Sequence, residues 1–180
     1  MAYIIAMIVS FLLLIADQVT KYFVTVNMTL ATMSPMPESI EFIPGLIDFV
    51  YIHNKGGAWG MMQGQTWFLL SVTMIVMLIC IAMLIKYGLK NKLLFWSLSL
   101  VLSGGLGNMI DRIFRNGNVV DFIHLHFMPD FPIFNVADCC VVIGAGLLIL
   151  YFVFDLIKEA RLKKNLAEKL PEDIGKHGEN

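Results

Sequence analysis

The sequence SGGLGNMIDR (103–112), with VVDFI (119–123) and FNVAD (134–138) after it, is the most informative part of this chain. In this stretch two acids, Asp121 and Asp138, lie where one hydrophobic segment has ended and the next one begins. An ionised acid among apolar neighbours is costly to bury unless it has partners. We therefore interpret the rest of the chain as a scaffold that holds these two acids at a membrane surface.

The composition is that of a membrane protein. Of the 180 residues, 58% are apolar and 15% are charged, and the mean hydropathy is +0.75, whereas a soluble domain is less apolar and more charged. The net charge of −1 provides no basic surface, and no zinc-ligand spacing occurs. We therefore expect neither nucleic acid nor a metal ion as a partner. The three cysteines, Cys80, Cys139 and Cys140, are expected to be free thiols.

Four segments are long and apolar enough to cross a bilayer as helices. A helix needs about 20 residues to cross a hydrocarbon layer of about 30 Å. The predicted spans are residues 2–22, 66–87, 93–113 and 136–157. The sequence therefore predicts a mainly α integral membrane protein, in which four transmembrane helices carry a small extracytoplasmic β-sheet and loop region.

The distribution of lysine and arginine orients these spans. Nine basic residues lie between the second and third spans or after the fourth, and four lie towards the other side. Because cytoplasmic loops carry the excess of basic residues, we expect both termini in the cytoplasm and the motifs on the extracytoplasmic side. Residues 1–160 are expected to form one domain. Residues 161–180 are expected to form a cytoplasmic tail that passes from helix into disorder.

The segment between the first two spans, SIEFIPGLIDFVYIHNKGGAWG (39–60), contains two short runs typical of strands, 40–43 and 49–53. Pro44 and Gly45 separate them, which predicts a small sheet lying on the bilayer. The glycines and the tryptophan within 54–60 suggest the hypothesis that this segment is a lid that excludes bulk water from the site.

Asp121 and Asp138 form a pair that suits peptide hydrolysis. Burial favours the neutral form of a carboxyl group, and a second carboxylate nearby makes double ionisation costlier, so such a pair holds one proton between its members. The ionised member takes a proton from water, and the protonated member polarises the scissile carbonyl. The two acids are 17 positions apart, so the loop with Pro129 and Pro132 must fold back to bring them together.

Some of these residues also have a purely structural interpretation. Asn135 and Asp138 match a capping box at the start of the fourth span. Asp17 and Lys21 are spaced four residues apart on one face of the first span. We expect these two to pair, with Lys21 snorkelling to the interface.

The end of the third span carries a second polar group. Asn108 lies one helical turn before Arg112, and its amide is expected to face a backbone or substrate carbonyl. The neighbouring Asp111 and Arg112 fit the end of a helix, where an arginine meets the last carbonyls. Close approach of another helix or of an acyl chain is allowed by three glycines, at positions 104, 105 and 107.

Taken together, these residues resemble the lipoprotein signal peptidase family, also called signal peptidase II, which comprises bacterial membrane aspartyl peptidases that process prolipoproteins. The resemblance runs through five blocks, DQVTK (17–21), NKGGAWG (54–60), SGGLGNMIDR (103–112), VVDFI (119–123) and FNVAD (134–138). One such block is a weak signal, but five in this order between four spans are specific.

The resemblance implies that Asp121 and Asp138 are the catalytic pair. The polar surround that it implies for substrate and acids consists of Asn54, Asn108, Arg112 and Asn135. The structural supports that it implies are Asp17, Lys21 and Gly104. The implied substrate is a prolipoprotein whose lipobox cysteine carries a diacylglyceryl group, cut just before that cysteine at the bacterial cell membrane. We expect this precursor and membrane lipid as partners, a monomeric enzyme, and no metal or organic cofactor.

Two other functions remain open at this point. A proton-coupled membrane transporter or channel would use Asp17 and the acid pair as a relay, although polar groups gathered on one side of the membrane argue against a path through it. A thiol enzyme would use the adjacent cysteines, 139 and 140. As a nucleophile, one of them would need activation by a histidine, and nothing in the sequence fixes the geometry of such a pair. As a thiol oxidoreductase, the protein would use both, but vicinal cysteines lack the spacing of the usual redox motif, which disfavours that function.

Overall fold

The structure is a computed structural model that describes residues 1–31, 38–57 and 61–169, with side chains to residue 166. Its elements in chain order are α1 (Ala2–Asn27), β1 (Ser39–Ile43), β2 (Ile47–Asn54), α2 (Thr66–Tyr87), a short 3-10 helix (Gly88–Lys90), α3 (Lys92–Phe114), β3 (Val119–Leu125) and α4 (Val136–Lys169). The predicted fold class is confirmed, because four apolar helices carry one small sheet.

All four helices are long and apolar enough to cross a membrane. Many large apolar side chains of α1, α2 and α4 face outward, as in α2, where Trp67 is 83% exposed and Ile85 is 78% exposed. Such a surface is unfavourable in water but suits lipid. α4 continues as a helix to Lys169, beyond the predicted end of the fourth span. The first part of the predicted tail is therefore helical, and its remainder, residues 170–180, lies outside the described residues.

α3 is the central helix, and it packs against each of the other three. A Cβ atom at Gly104 would collide with the carbonyl oxygen of Ala137 and lie 3.0 Å from the amide nitrogen of Val141, both in α4. Ser103 donates a hydrogen bond of 2.7 Å to the carbonyl oxygen of Ser10, which joins α3 to α1. Helices in lipid associate through close packing and hydrogen bonds. Close packing at Gly104 therefore holds α3 against α4, and the Ser103 hydrogen bond holds α3 against α1.

The sheet is antiparallel, with the strand order β1-β2-β3. β1 and β2 match the two predicted runs. β3 has no counterpart among the predicted strands, because an acid interrupts its apolar run and its pairing with β2 is distant in sequence. The register of β2 and β3 shifts between Phe49 and Ile52, next to the pairing of Ile52 with Asp121. Such a bulge changes the direction in which nearby side chains point.

The strand that carries Asp121 is tied to the segment that leads into α4. The carbonyl oxygen of Phe134 accepts hydrogen bonds from the backbone nitrogens of Phe122 (3.0 Å) and Ile123 (2.8 Å). The nitrogen of Phe134 donates to the carbonyl oxygen of Ile123 at 3.1 Å. The proline-containing loop therefore folds back, which brings Asp121 and Asp138 to one end of the helix bundle. We call this end, where β3 contacts α1 and α3, the sheet end.

A small apolar core fixes the sheet to α1. Val24 and Met28, near the end of α1, pack with Tyr51 of β2 and with Val120 and Phe122 of β3, and all five side chains are buried. Burial of such a side chain contributes about 1.5–3 kcal/mol. The strand that bears Asp121 is therefore held in place independently of the acid.

We predict that Gly104→Ala destabilises the protein by roughly 1–3 kcal/mol, because the added Cβ overlaps backbone atoms that have no room to move. Gly146→Ala in α4 is the matched control, since a Cβ at position 146 meets nothing within 4 Å. Alanine there is a better helix former than glycine by roughly 1 kcal/mol. Thermal unfolding in detergent measures both variants. Equal melting temperatures would contradict close packing of α3 on α4.

Candidate active site

Asn135 and Asp138 form the first turn of α4. The side-chain oxygen Oδ1 of Asn135 accepts a hydrogen bond of 2.9 Å from the backbone nitrogen of Asp138. In return, Oδ2 of Asp138 accepts one of 3.1 Å from the backbone nitrogen of Asn135. The predicted capping box is confirmed. It holds the Asp138 carboxylate at the sheet end of the bundle.

Asp121 lies on β3 and is 2% exposed. Its Oδ1 accepts a hydrogen bond of 2.6 Å from Nδ2 of Asn135, and its Oδ2 accepts one of 2.9 Å from Nδ2 of Asn54. Burial and then the negative charge of Asp138 raise the pKa of Asp121 to about 7, although the two amide hydrogen bonds lower it in part. This carboxyl group therefore exchanges its proton near neutral pH.

Two amides connect the acids. Asn135 contacts Asp121 through its side chain and Asp138 through its backbone. Asn108, on α3, donates from Nδ2 to Oδ1 of Asp138 at 2.8 Å, and its Oδ1 accepts from Nδ2 of Asn135 at 3.1 Å. The amide nitrogen of Asn108 thus faces an acid, where a backbone or substrate carbonyl was expected. α3, β3 and α4 each contribute a polar side chain to one connected group.

Lys21 lies in the middle of a buried ion network and is 0% exposed. Its Nζ is 2.9 Å from Oδ2 of Asp17, 3.0 Å from Oδ2 of Asp111 and 3.0 Å from Oδ1 of Asn108. The predicted pairing with Asp17 is confirmed. The predicted snorkelling is wrong, because three acceptors inside the bundle satisfy all three N–H groups of the ammonium.

The two acids around Lys21 also hold neighbouring elements. Asp17 of α1 accepts a hydrogen bond of 2.8 Å from the backbone nitrogen of Ala137, so α1 caps α4. Asp111 accepts from Nε of Arg115 at 3.2 Å and from the backbone nitrogen of Val120 at 3.1 Å. Sequence reasoning did not place Asp111 in the site. Its only signal was the position beside an arginine at a helix end, which does not reveal contacts with other elements.

The segment after β2 is attached to α3 at the same end. Oδ1 of Asn54 accepts from the backbone nitrogen of Gly56 at 2.9 Å, and its Nδ2 also donates to the carbonyl oxygen of Gly57 at 3.3 Å. Arg112 donates from Nη2 to the carbonyl oxygen of Gly56 at 3.0 Å. The first residues of the predicted lid are therefore held against the site. The rest of that lid, residues 58–60, lies outside the described residues.

The histidines near this end contact Asp48 or Tyr51 and not the cysteines of α4. Nδ1 of His126 lies 2.9 Å from Oδ2 of Asp48, and Nδ1 of His124 lies 3.5 Å from the same oxygen. Nε2 of His53 lies 2.7 Å from the hydroxyl oxygen of Tyr51. These contacts do not favour a cysteine and histidine pair. Within the described part of the chain, no three His, Cys, Asp or Glu side chains are grouped so that they could hold a metal ion.

Known proteins are similar to this chain in both sequence and fold. A family model described as Signal peptidase (SPase) II matches residues 9–154. The chain belongs to the signal peptidase II family. It is also 39% identical over 149 residues to the lipoprotein signal peptidase of Bacillus pumilus (strain SAFR-032), which covers 82% of this chain and 92% of that protein.

Two solved structures of bacterial membrane enzymes, both determined by the in meso method, have a similar fold. Their TM-scores are 0.73 and 0.71 at 35% and 34% identity, with 84% and 82% of this chain and 88% and 91% of those chains covered. The family resemblance predicted from the five sequence blocks is confirmed. As a member of the signal peptidase II family, the chain is an aspartic peptidase of the bacterial membrane that removes signal peptides from prolipoproteins. A transporter or channel is not favoured.

We predict that Asn54→Ala raises the pKa of Asp121 above its value of about 7, because the lost hydrogen bond stabilised the ionised carboxylate. A pH titration of the carboxyl bands by infrared difference spectroscopy measures this shift, with Asp121→Asn to assign the band. Asn27→Ala is the matched control, since Asn27 is exposed at the end of α1 and its side chain donates to the carbonyl oxygen of Phe23 in the same helix. An unchanged or lower titration midpoint in Asn54→Ala would contradict the role of this hydrogen bond.

Proposed function

We propose that Asp121 and Asp138 are the catalytic pair that cleaves diacylglyceryl-modified prolipoproteins just before the lipidated cysteine. The observation that carries this proposal is the amide shared by the two acids, since Asn135 bonds to Asp121 and to Asp138. Two carboxyl groups in one polar group, one of them with a pKa of about 7, hold a single proton between them. Such a pair supplies an acid and a base in the same site.

Asp121 is the member that holds this proton. Its pKa is about 7, so the Asp121 carboxyl group is mostly protonated at pH values below about 7. In that form it can donate a hydrogen bond to the scissile carbonyl oxygen. Asp138 is the ionised member and removes a proton from the attacking water. Its two oxygens accept N–H groups from Asn108 and Asn135, which fix its direction.

The proton transfers then form a closed cycle. Water adds to the carbonyl carbon, its proton passes to Asp138, and the carbonyl oxygen takes the proton of Asp121, which gives a neutral tetrahedral intermediate. Collapse of this intermediate breaks the C–N bond, the leaving amine takes the proton from Asp138, and a hydroxyl proton returns to Asp121. Water supplies the proton that Asp138 passes to the amine, and Asp121 regains the proton that it gave, so the two carboxyl groups carry out every proton transfer without a cofactor.

The lipid on the substrate supplies recognition. Acyl chains remain in the bilayer and thereby fix the depth of the scissile bond. The helices present apolar surfaces to lipid, and the acids lie at the sheet end of the bundle, so the bond is cut at the membrane surface. The polar surround of the substrate is Asn54, Asn108, Arg112 and Asn135. The supports of the site are Asp17, Lys21 and Gly104.

We further infer that both termini are cytoplasmic and that the site faces the extracytoplasmic side. The loop between the second and third spans and the segment after the fourth span carry nine of the 13 basic residues, which is typical of cytoplasmic segments. Residues 1–160 act as one domain, with residues 161–180 as a cytoplasmic tail. The enzyme acts as a monomer, because one chain supplies both acids and both amides between them.

Asp121→Asn and Asp138→Asn are each expected to lower cleavage of a diacylglyceryl precursor by roughly 10²–10⁴-fold, because an amide can neither give nor take the required proton. Asp155→Asn, an exposed acid of α4, is the matched control and is expected to cleave normally. The assay follows release of the signal peptide from the lipidated precursor beside its unlipidated form. Retained turnover in either acid variant, with normal thermal unfolding, would refute the assignment.

The rate is expected to fall as the pH rises above about 7. Asp121 loses its proton as the pH passes its pKa of about 7, which leaves two ionised carboxylates and no acid for the carbonyl. Measurement of kcat/KM between about pH 5 and 9 reports this group in the free enzyme. A value of kcat/KM that rises from about pH 7 to 9 would contradict the assignment of the resting proton to Asp121.

A further inference from the structure

Asp111 is fully buried at the sheet end of α3. Hydrogen bonds and an ion pair with intervening residues connect it to the proposed catalytic pair. Its Oδ2 accepts from Nζ of Lys21 at 3.0 Å and from the backbone nitrogen of Val120 at 3.1 Å. Its Oδ1 accepts from Nε of Arg115 at 3.2 Å. Because both oxygens accept from N–H donors, the carboxylate has a fixed direction. Asp111 therefore links the ammonium of Lys21 to the strand that carries Asp121.

The ammonium of Lys21 also has a fixed direction. It has three N–H groups and no acceptor atom. Asp17, Asp111 and Asn108 take one N–H group each, at 2.9, 3.0 and 3.0 Å. Loss of any one acceptor would leave a buried N–H group unpaired, which is unfavourable enough to move the side chain.

Lys21 in turn helps to determine which way the Asn108 amide points, together with Nδ2 of Asn135. An ammonium only donates, so the Asn108 atom that faces it must be the oxygen. The nitrogen of the amide must then face Oδ1 of Asp138, as it does at 2.8 Å. A flipped amide would place N–H groups against the ammonium and an oxygen against the carboxylate, and both contacts are repulsive.

The second amide has its own fixed direction. Oδ1 of Asn135 accepts from the backbone nitrogen of Asp138, which only donates, so Nδ2 must face Asp121. Asn135 is therefore oriented by the first turn of α4. Oδ1 of Asn108 accepts from Asn135 at 3.1 Å and from Lys21 at 3.0 Å, and of these two donors Lys21 is the one that Asp111 contacts. The side-chain route from Asp111 to the catalytic pair thus runs through Lys21 and Asn108.

We propose that Asp111 is a positioning residue for peptide cleavage, which orients Lys21 and, through the Asn108 amide, keeps an N–H donor aimed at Asp138. This inference rests on the proposed function, because it assumes that Asp138 handles a proton in the reaction. Asp17 alone cannot orient the ammonium, since it accepts only one of the three N–H groups.

The first test is Asp111→Asn, which keeps the size of the side chain but turns one acceptor into a donor. Either orientation of the new amide opposes a donor, on the side of Lys21 and Val120 or on the side of Arg115. We expect kcat on the lipidated precursor to fall at least about tenfold, with KM changed less than about twofold, as for loss of a buried charge-assisted hydrogen bond.

Arg115→Gln is the matched control. It removes the other charged partner of Asp111, is partly exposed with 26% of its side chain accessible, and leaves Lys21 untouched. Its kcat is expected to change less than about threefold. Equal losses of kcat in Arg115→Gln and Asp111→Asn would assign Asp111 a general structural role and overturn the proposal.

A double-mutant cycle separates positioning from support of the fold. Lys21→Met and the double variant Lys21→Met with Asp111→Asn are expected to have the same kcat, because Asp111 acts through Lys21. Lys21→Met is also expected to move the pH midpoint of the rate upward, since the positive charge of Lys21 lowers the pKa of Asp121. Independent losses that multiply in the double variant would overturn the proposal, as would an unchanged pH midpoint.

Thermal unfolding in detergent accompanies every variant. If Asp111→Asn alone is recovered unfolded, the proposal is tested by comparing kcat of Lys21→Met with kcat of the double variant. A lower kcat in the double variant would contradict the route through Lys21. The proposed function has a separate readout. If the unmodified protein does not cleave the lipidated precursor, or if Asp121→Asn retains turnover, the proposed function fails rather than the role of Asp111.

Discussion

A charge inside a membrane protein must find its partners within the protein, because the hydrocarbon layer offers none. Lys21 meets this constraint with two carboxylates and one amide oxygen, all at about 3 Å. Asp17 carries the network to the first turn of α4, and Asp111 carries it to β3. The contacts that neutralise the buried charges are therefore the same ones that set the positions of the elements bearing the two acids.

The acids themselves come together through backbone geometry. The hydrogen bonds between Phe134 and Ile123 return the chain to β3, and the helix begins directly after that point. Asn135 then serves as the N-cap of α4 and as the donor to Asp121. A single residue thus ends the loop, starts the helix and joins the pair. Close approach of α4 to α3, which Gly104 permits, brings the Asn108 amide within reach of the same group.

Local spacing was enough to predict much of this fold. The four apolar segments, the pairing of Asp17 with Lys21 and the capping box at Asn135 each depend on residues close together in the chain. Contacts between distant elements were not predictable in that way. β3 forms only because β2 lies beside it, and the burial of Lys21 depends on Asp111 and Asn108 of another helix. For the same reason the sequence indicated a lysine that reaches the interface, whereas the structure encloses it.

The cap that α1 supplies to α4 also bears on how the protein matures during synthesis. Spans enter the bilayer in chain order, so the helix with Asp17 is in place long before the last one emerges. Until that last helix arrives, Asp17 cannot accept a hydrogen bond from the backbone nitrogen of Ala137, and the Asn108 amide cannot donate one to Asp138. Since the proposed catalytic pair includes Asp138, its assembly is deferred until translation has delivered the final span, and a nascent chain halted before that point lacks half of the pair.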